Sequence, residues 1–123
     1  MKLEKLETER KLEIVRRLLE EKKAEEIEVI DLRGRTLIAD FFVICSGTSN
    51  THIKAIADGL LTDGRKEGLR KEHVEGYAQA RWVLVDYGDV VAHIFAREER
   101  EFYDIESLWK ATEAKLEGTG SRE

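Results

Sequence analysis

The stretch WVLVDYGDVVAHIF, Trp82–Phe95, decides how this chain folds. Two apolar runs flank the segment DYGD, and this pattern predicts a β-hairpin. A hairpin with one face in water should alternate apolar and polar residues. This stretch hardly alternates, so both of its faces need a cover. The cover of the second face is therefore a clue to function.

Pairing the two strands across DYGD predicts which side chains share a face. In this register Val85 opposes Val90 and Trp82 opposes His93. Because side chains alternate along a strand, one face is purely aliphatic and suits packing against helices. Its members are Val83, Val85, Val90, Ala92 and Ile94. The other face carries aromatic, aliphatic and acidic side chains, namely Trp82, Leu84, Asp86, Asp89, Val91 and His93.

Two interpretations of this second face are open. Another helix of the chain could cover Trp82 and leave the two aspartates in water at the turn. Alternatively, Trp82 anchors a partner protein while Asp86 and Asp89 attract its Lys and Arg side chains. Exposed apolar patches of this kind typically mark interfaces, which favours the second interpretation. The same face could also close a homodimer of the free protein.

Hydrophobic periodicity around the hairpin predicts a single α/β domain over residues 1–118, with a disordered tail at 119–123. Its elements follow the order α-β-β-α-β-β-β-α and form a mixed sheet with flanking helices. The first helix lies within residues 1–26, and its highly charged first ten residues are expected to fray. Strands follow at 27–32 and 41–45, a helix begins near Ser49 or Asn50, a short strand lies within 69–77, and a final helix covers 97–117.

Composition and charge restrict the classes of function. The net charge of −5 argues against general binding to phosphate backbones and allows a basic protein as partner. The apolar runs are too short for a membrane span, so no membrane contact is expected. A single cysteine excludes an internal disulfide and suits a reducing compartment. We therefore expect a cytoplasmic protein.

Residues that could carry chemistry are few. The histidines His52, His73 and His93 lack the spacing of metal ligands, so neither a metal nor a cofactor is expected. Cys45, inside the apolar run FFVIC, is predicted to be an inert buried thiol. The turn Ser46-Gly47-Thr48-Ser49 precedes a helix and could hold phosphate through its N–H groups, although a capped turn is the simpler interpretation. A nucleotide-binding or nucleotidyl-transferring enzyme that uses this turn is the alternative function.

Several segments together resemble the Iojap-like ribosomal silencing factor family. They are DLRGRTLIADFFVICSGTSNTHIKAIAD, VEGY, ARWVLVDYGDVVAHIF and REFYDIESLW, and they span residues 31–109. The resemblance implies a nucleotidyltransferase-like fold without the carboxylate pair of that chemistry, and hence no catalytic residues. It implies a translation repressor that binds a basic protein of the large ribosomal subunit, the fourteenth. Bound there, the protein would block association with the small subunit. The acidic net charge predicts little direct contact to RNA.

The resemblance also implies which residues bind this partner. The family's binding surface maps onto Glu75, in VEGY, and onto Trp82, Asp86 and Asp89. Leu84, Val91 and His93 join this surface through the predicted hairpin register alone. Tyr103, in REFYDIESLW, suits an interface and a packing role equally, and both stay open. Phe102 and Ile105 are expected to pack the last helix on the sheet.

Overall fold

A computed structural model of the chain describes residues 7–110. Most of the ten residues predicted to fray, and all of the tail predicted at 119–123, lie outside this range. The succession of helices and strands confirms the predicted order. The elements are α1 (Thr8–Glu21), β1 (Glu25–Asp31), β2 (Phe41–Gly47), α2 (Asn50–Lys66), β3 (His73–Glu75), β4 (Trp82–Asp86), β5 (Val90–Ala96) and α3 (Arg97–Tyr103).

The five strands form one mixed sheet in the order β1-β2-β5-β4-β3. Strands β2 and β5 run parallel at its centre, and the other neighbouring pairs are antiparallel. Every residue of β2 and β5 is buried. This placement explains the near-continuous apolar sequences of both strands, because a central strand is covered on both faces.

Helices α1 and α2 cover one face of the sheet. Their apolar stripes pack on the aliphatic face of the hairpin, as predicted, and the shared core includes Ile14, Leu18, Ile53, Ile56, Val83, Val85, Val90, Ala92 and Ile94. A second, smaller core lies on the opposite face of the sheet and includes Ile30, Phe42, Ile44, Val91 and Phe95. Ile105 and Trp109 pack against this second core from the end of the described chain.

The predicted hairpin register is wrong, because the centre of the turn lies one residue later in the chain. The N–H of Tyr87 donates to the carbonyl of Val90 over 2.9 Å, so Gly88 and Asp89 are the two central residues of the turn. Gly88 has φ +94°, which suits the first central position of a tight hairpin turn. As a result Trp82 pairs with Phe95, and Leu84 pairs with His93. Because the pairing shifts by two residues, every strand residue keeps its predicted face.

The last predicted helix is interrupted. Helix α3 ends at Tyr103, and Asp104 takes a left-handed conformation with φ +46°. The chain is helical again at residues 105–110, and the rest of the predicted helix lies outside the described residues. The buried Arg100 joins both pieces, because its guanidinium donates to both carboxylate oxygens of Glu106 over 3.0 and 2.6 Å. It also donates to Oγ of Ser46 in β2 over 2.8 Å.

Candidate functional site

The sheet face opposite α1 and α2 carries a group of aromatic and aliphatic side chains that reach the surface. We call Trp82, Leu84 and Tyr103 the aromatic face. The indole of Trp82 stacks on Phe95 with ring centroids 4.7 Å apart, and Tyr103 lies against it at 4.8 Å. Trp82 and Leu84 are half-buried, while Tyr103 is 50% exposed. The aromatic face is thus an apolar platform that the sheet supports from below.

His93 lies beneath the aromatic face and is not part of its surface. Only 4% of His93 is exposed, and its ring contacts Phe42 at a centroid distance of 4.5 Å. Burial lowers the pKa of His93 to about 4, so the ring is neutral near pH 7. Val91, another predicted contact residue, is 5% exposed. Both side chains therefore support the face from within and do not themselves lie on the surface.

Gly76 fixes the position of Trp82 through the backbone. This glycine follows β3 and has φ +81°, a conformation that costs an L-residue about 1 kcal/mol or more. A Cβ atom placed on Gly76 would lie 2.1 Å from the carbonyl oxygen of Trp82. Only glycine allows this approach, which gives the VEGY segment a structural role beside the aromatic face.

Acidic side chains border the aromatic face on the side of β3. Glu75 pairs with Leu84 across the two strands, and His73 pairs with Asp86. Directly opposed residues of an antiparallel pair share a face, so Glu75 and Asp86 lie on the same side of the sheet as Trp82. Glu75 is exposed and accepts a hydrogen bond from His73 over 2.6 Å. One oxygen of Asp86 accepts from the N–H of Gly88 over 2.7 Å.

Asp89 does not join this border. The prediction placed it opposite Asp86, but the turn directs its carboxylate to α1, where Lys11 donates over 2.6 Å and Thr8 also donates. Partial burial acts to raise the pKa of Asp89, but these hydrogen bonds outweigh it and hold the pKa below its ordinary value. Asp89 therefore fastens the hairpin turn to α1, on the helix-covered side of the sheet.

The end of α3 covers part of Trp82, because Tyr103 lies against its indole. The tryptophan stays half-buried. Residues 105–110 lie over the other half of the sheet, where Trp109 meets Phe42 at 6.0 Å. Ile105 packs on the sheet as expected. Phe102 does not, because it is 80% exposed and its ring makes an edge-to-face contact with Tyr103. Neighbouring residues of a helix point about 100° apart, so Phe102 points away from the sheet when Tyr103 lies against Trp82.

The polar groups of the turn Ser46-Gly47-Thr48-Ser49 form hydrogen bonds within the protein, and these bonds stabilise the fold. Ser49 Oγ accepts from the N–H of His52 over 3.0 Å and caps α2. The N–H of Thr48 donates to Nδ1 of His52 over 2.9 Å, and Ser46 accepts from Arg100. A Cβ on Gly47 would lie 2.6 Å from a side-chain carbon of Ile53, so the turn packs tightly against the helix that it starts.

Within residues 7–110, no group of three His, Cys, Asp or Glu side chains is arranged to hold a metal ion. Over the same residues, no helix is long and apolar enough to cross a bilayer. Cys45 is fully buried, and burial raises the pKa of its thiol to about 12. A thiol in this environment stays protonated and unreactive, as predicted.

Comparison with known proteins places the chain in a family. The family model described as "Ribosomal silencing factor during starvation" matches residues 5–122. A ribosomal silencing factor of Halalkalibacterium halodurans is 44% identical over 108 residues, which are 87% of this chain and 92% of that protein. A mouse protein named for mitochondrial assembly of the ribosomal large subunit is 35% identical over 95 residues, which are 75% of this chain and 42% of the mouse protein.

A solved structure shares both the fold and part of the sequence. The crystal structure of a Chromobacterium violaceum protein superposes with a TM-score of 0.83 and 31% identity, over 85% of this chain and 88% of that one. Sequence and fold therefore lead to the same conclusion, which agrees with the resemblance of the quoted segments. The chain belongs to the ribosomal silencing factor family.

Proposed function

We propose that the chain represses translation by binding the fourteenth protein of the large ribosomal subunit through the aromatic face. The observation that carries this proposal is the contact between Trp82 and Tyr103, whose rings lie 4.8 Å apart on an open sheet face. Partly exposed tryptophan and tyrosine side chains are the residues that most often dominate the binding energy of protein interfaces. The two rings here are held by the sheet and by α3 before any partner arrives.

The charge around the aromatic face supports a basic protein as partner. Glu75 and Asp86 lie beside Trp82 and Leu84, and the whole chain carries a net charge of −5. An RNA backbone would be repelled by these carboxylates, whereas Lys and Arg side chains of a protein would be attracted. Apolar anchors at the centre with acids at the rim match the usual anatomy of a protein interface.

The names of related proteins support the ribosome as the target. Members of the family are named as ribosomal silencing factors, and the mouse relative is named for assembly of the large subunit. A domain that covers the surface where the two subunits meet would prevent their association by steric exclusion. This mechanism needs no chemical step.

A binding measurement with large subunits tests the proposal. Trp82→Ala removes the largest anchor of the face and should weaken binding at least 10-fold, because such an anchor contributes about 2 kcal/mol or more. Tyr77→Ala is the matched control, since Tyr77 is a partly exposed aromatic residue bonded to Asp58 of α2 on the helix-covered side. Equal affinity of Trp82→Ala and the parent protein would contradict the proposal.

Two other outcomes would redirect the assignment. Calorimetry with ATP or GTP and Mg²⁺ tests the alternative of a nucleotide-binding enzyme, and saturable binding with turnover would favour it. Sedimentation of the free protein tests a homodimer closed by the aromatic face. A dimer that Trp82→Ala dissociates would compete with ribosome binding, because one surface cannot serve both at once.

A further inference from the structure

A second surface of the protein concentrates positive charge. The segment from the end of α2 to the start of β3 carries four exposed cations, which we call the basic cluster: Arg65, Lys66, Arg70 and Lys71. Across residues 7–110, none of the four makes an ion pair or a side-chain hydrogen bond. Four cations within seven residues thus remain available in a chain whose net charge is −5.

Most of the other arginines are already engaged by carboxylates. These pairs include Arg10 with Glu13, Arg17 with Glu21 and Glu67, Arg33 with Asp31, Arg81 with Glu99, Arg97 with Glu25, and Arg100 with Glu106. Glu67 lies within the segment of the basic cluster, but its carboxylate pairs with Arg17 of α1 and so does not neutralise the cluster. Asp63 and Glu72 are the other two carboxylates of residues 63–72, against four cations.

The helix terminus alone does not account for this charge. Arg65 and Lys66 lie in the last turn of α2, where cations stabilise the helix dipole. Arg70 and Lys71 lie beyond the helix, past Gly68, and gain nothing from the dipole because its effect is limited to the last turn. Their position needs another explanation.

Three of the four cations surround one concavity. Arg65, Arg70 and Lys71 line a pocket of about 590 Å³, together with Leu60, Leu61 and Leu69. Leu60 and Leu69 are only 1% and 2% exposed, so the accessible surface of this pocket comes mainly from the cations and the partly exposed Leu61. Arginine binds phosphate oxygens through its planar fork of donors, and its guanidinium plane can also stack on an unstacked base.

We infer that the basic cluster binds the phosphate backbone of ribosomal RNA while the aromatic face binds a ribosomal protein. This inference rests on the proposed function, which brings the chain to a surface made of both RNA and protein. The two surfaces are linked but do not overlap. The N–H of Glu72 donates to the carbonyl of Asp86 over 2.7 Å, whereas α2 packs on the sheet face opposite Trp82. The acidic net charge disfavours RNA in general, and the basic cluster is the local exception.

The dependence of large-subunit binding on salt tests this inference. Each lost phosphate contact lowers the magnitude of the slope of log K against log salt by about 0.7 to 0.9, so the triple variant R65Q/R70Q/K71Q should lower it by about 2 to 3. The control R10Q/R16Q/K23Q removes the same net charge from α1 and the turn after it, and it should keep the slope of the parent. Equal slopes for the two triple variants would overturn the inference.

Two further arms identify the partner and separate this inference from the proposed function. A photoreactive residue at Arg70 should cross-link to RNA in bound large subunits, and cross-linking to ribosomal protein alone would overturn the inference. Trp82→Ala is measured in parallel. If Trp82→Ala abolishes binding while R65Q/R70Q/K71Q keeps the slope of the control, the proposed function stands and the RNA contact fails. If the parent protein does not bind large subunits, both fail.

Discussion

The indole N–H of Trp82 donates a hydrogen bond to Nδ1 of His93 over 3.1 Å. Tryptophan can only donate, so Nδ1 must be the acceptor and the proton of the neutral imidazole is on Nε2. The bond connects a half-buried anchor of the aromatic face to a buried residue of β5. It explains why a histidine stands in an otherwise apolar strand, since its neutral ring fixes the orientation of the indole.

The stability of the fold should depend on pH through His93. Burial lowers the pKa of His93 to about 4, below the ordinary 6.5, so between these values the unfolded chain binds a proton that the folded chain does not. The contribution is therefore complete above pH 6.5 and is lost as the pH falls toward 4. At pH 5 the loss should be about 2 kcal/mol.

Urea denaturation of the parent and of His93→Asn at pH 7.5 and pH 5 measures this effect. Asparagine offers an acceptor near the position of Nδ1 and does not titrate. The carboxylates are common to both proteins, so the difference between their pH profiles isolates His93. Identical profiles would show that His93 is not the group responsible.

Gly76→Ala should destabilise the fold by about 2–4 kcal/mol, because the new methyl group meets the carbonyl of Trp82 in a left-handed conformation. Gly34→Ala is the matched control. Gly34 also has a positive φ, of +79°, but a Cβ there meets nothing within 4 Å. Its cost should be about 1 kcal/mol, from the conformation alone. Thermal or urea denaturation compares the two variants, and equal costs would refute the close approach to Trp82.

The two aspartates of the hairpin should respond differently to charge reversal. Asp86→Lys should slow association with large subunits several-fold, because Asp86 borders the aromatic face. It should lower the free energy of unfolding by only about 1 kcal/mol, from the lost hydrogen bond to the N–H of Gly88. Asp89→Lys should instead lower the free energy of unfolding by about 2 kcal/mol, because it places a lysine against Lys11. Stopped-flow association and urea denaturation separate the two effects. Similar behaviour of both variants would contradict the observed register.

The order of elements and the two faces of the hairpin could be predicted from the sequence, because hydrophobic periodicity encodes both. The register could not, since DYGD allows more than one tight turn and the positive φ of Gly88 decides among them. A shift by two residues leaves the faces unchanged, so the pattern of Val83 and Ile94 contains no information that would detect it.

The candidate site was predictable in part for a related reason. Trp82, Leu84 and Glu75 were identified by face and by motif, and both are local properties of the chain. The engagement of Asp89 by Lys11 and the burial of His93 depend on contacts between distant segments. The basic cluster could not be predicted from the net charge of −5, because a total over the chain does not show which cations lack ion-pair partners.

The association of separated ribosomal subunits, followed by light scattering at increasing protein concentration, tests the central claim most directly. The account predicts that the parent protein prevents association when it is added to large subunits first. It also predicts that Trp82→Ala requires at least 10-fold more protein for the same effect, while Tyr77→Ala behaves like the parent. Unhindered association at a concentration that saturates the large subunits would contradict the account.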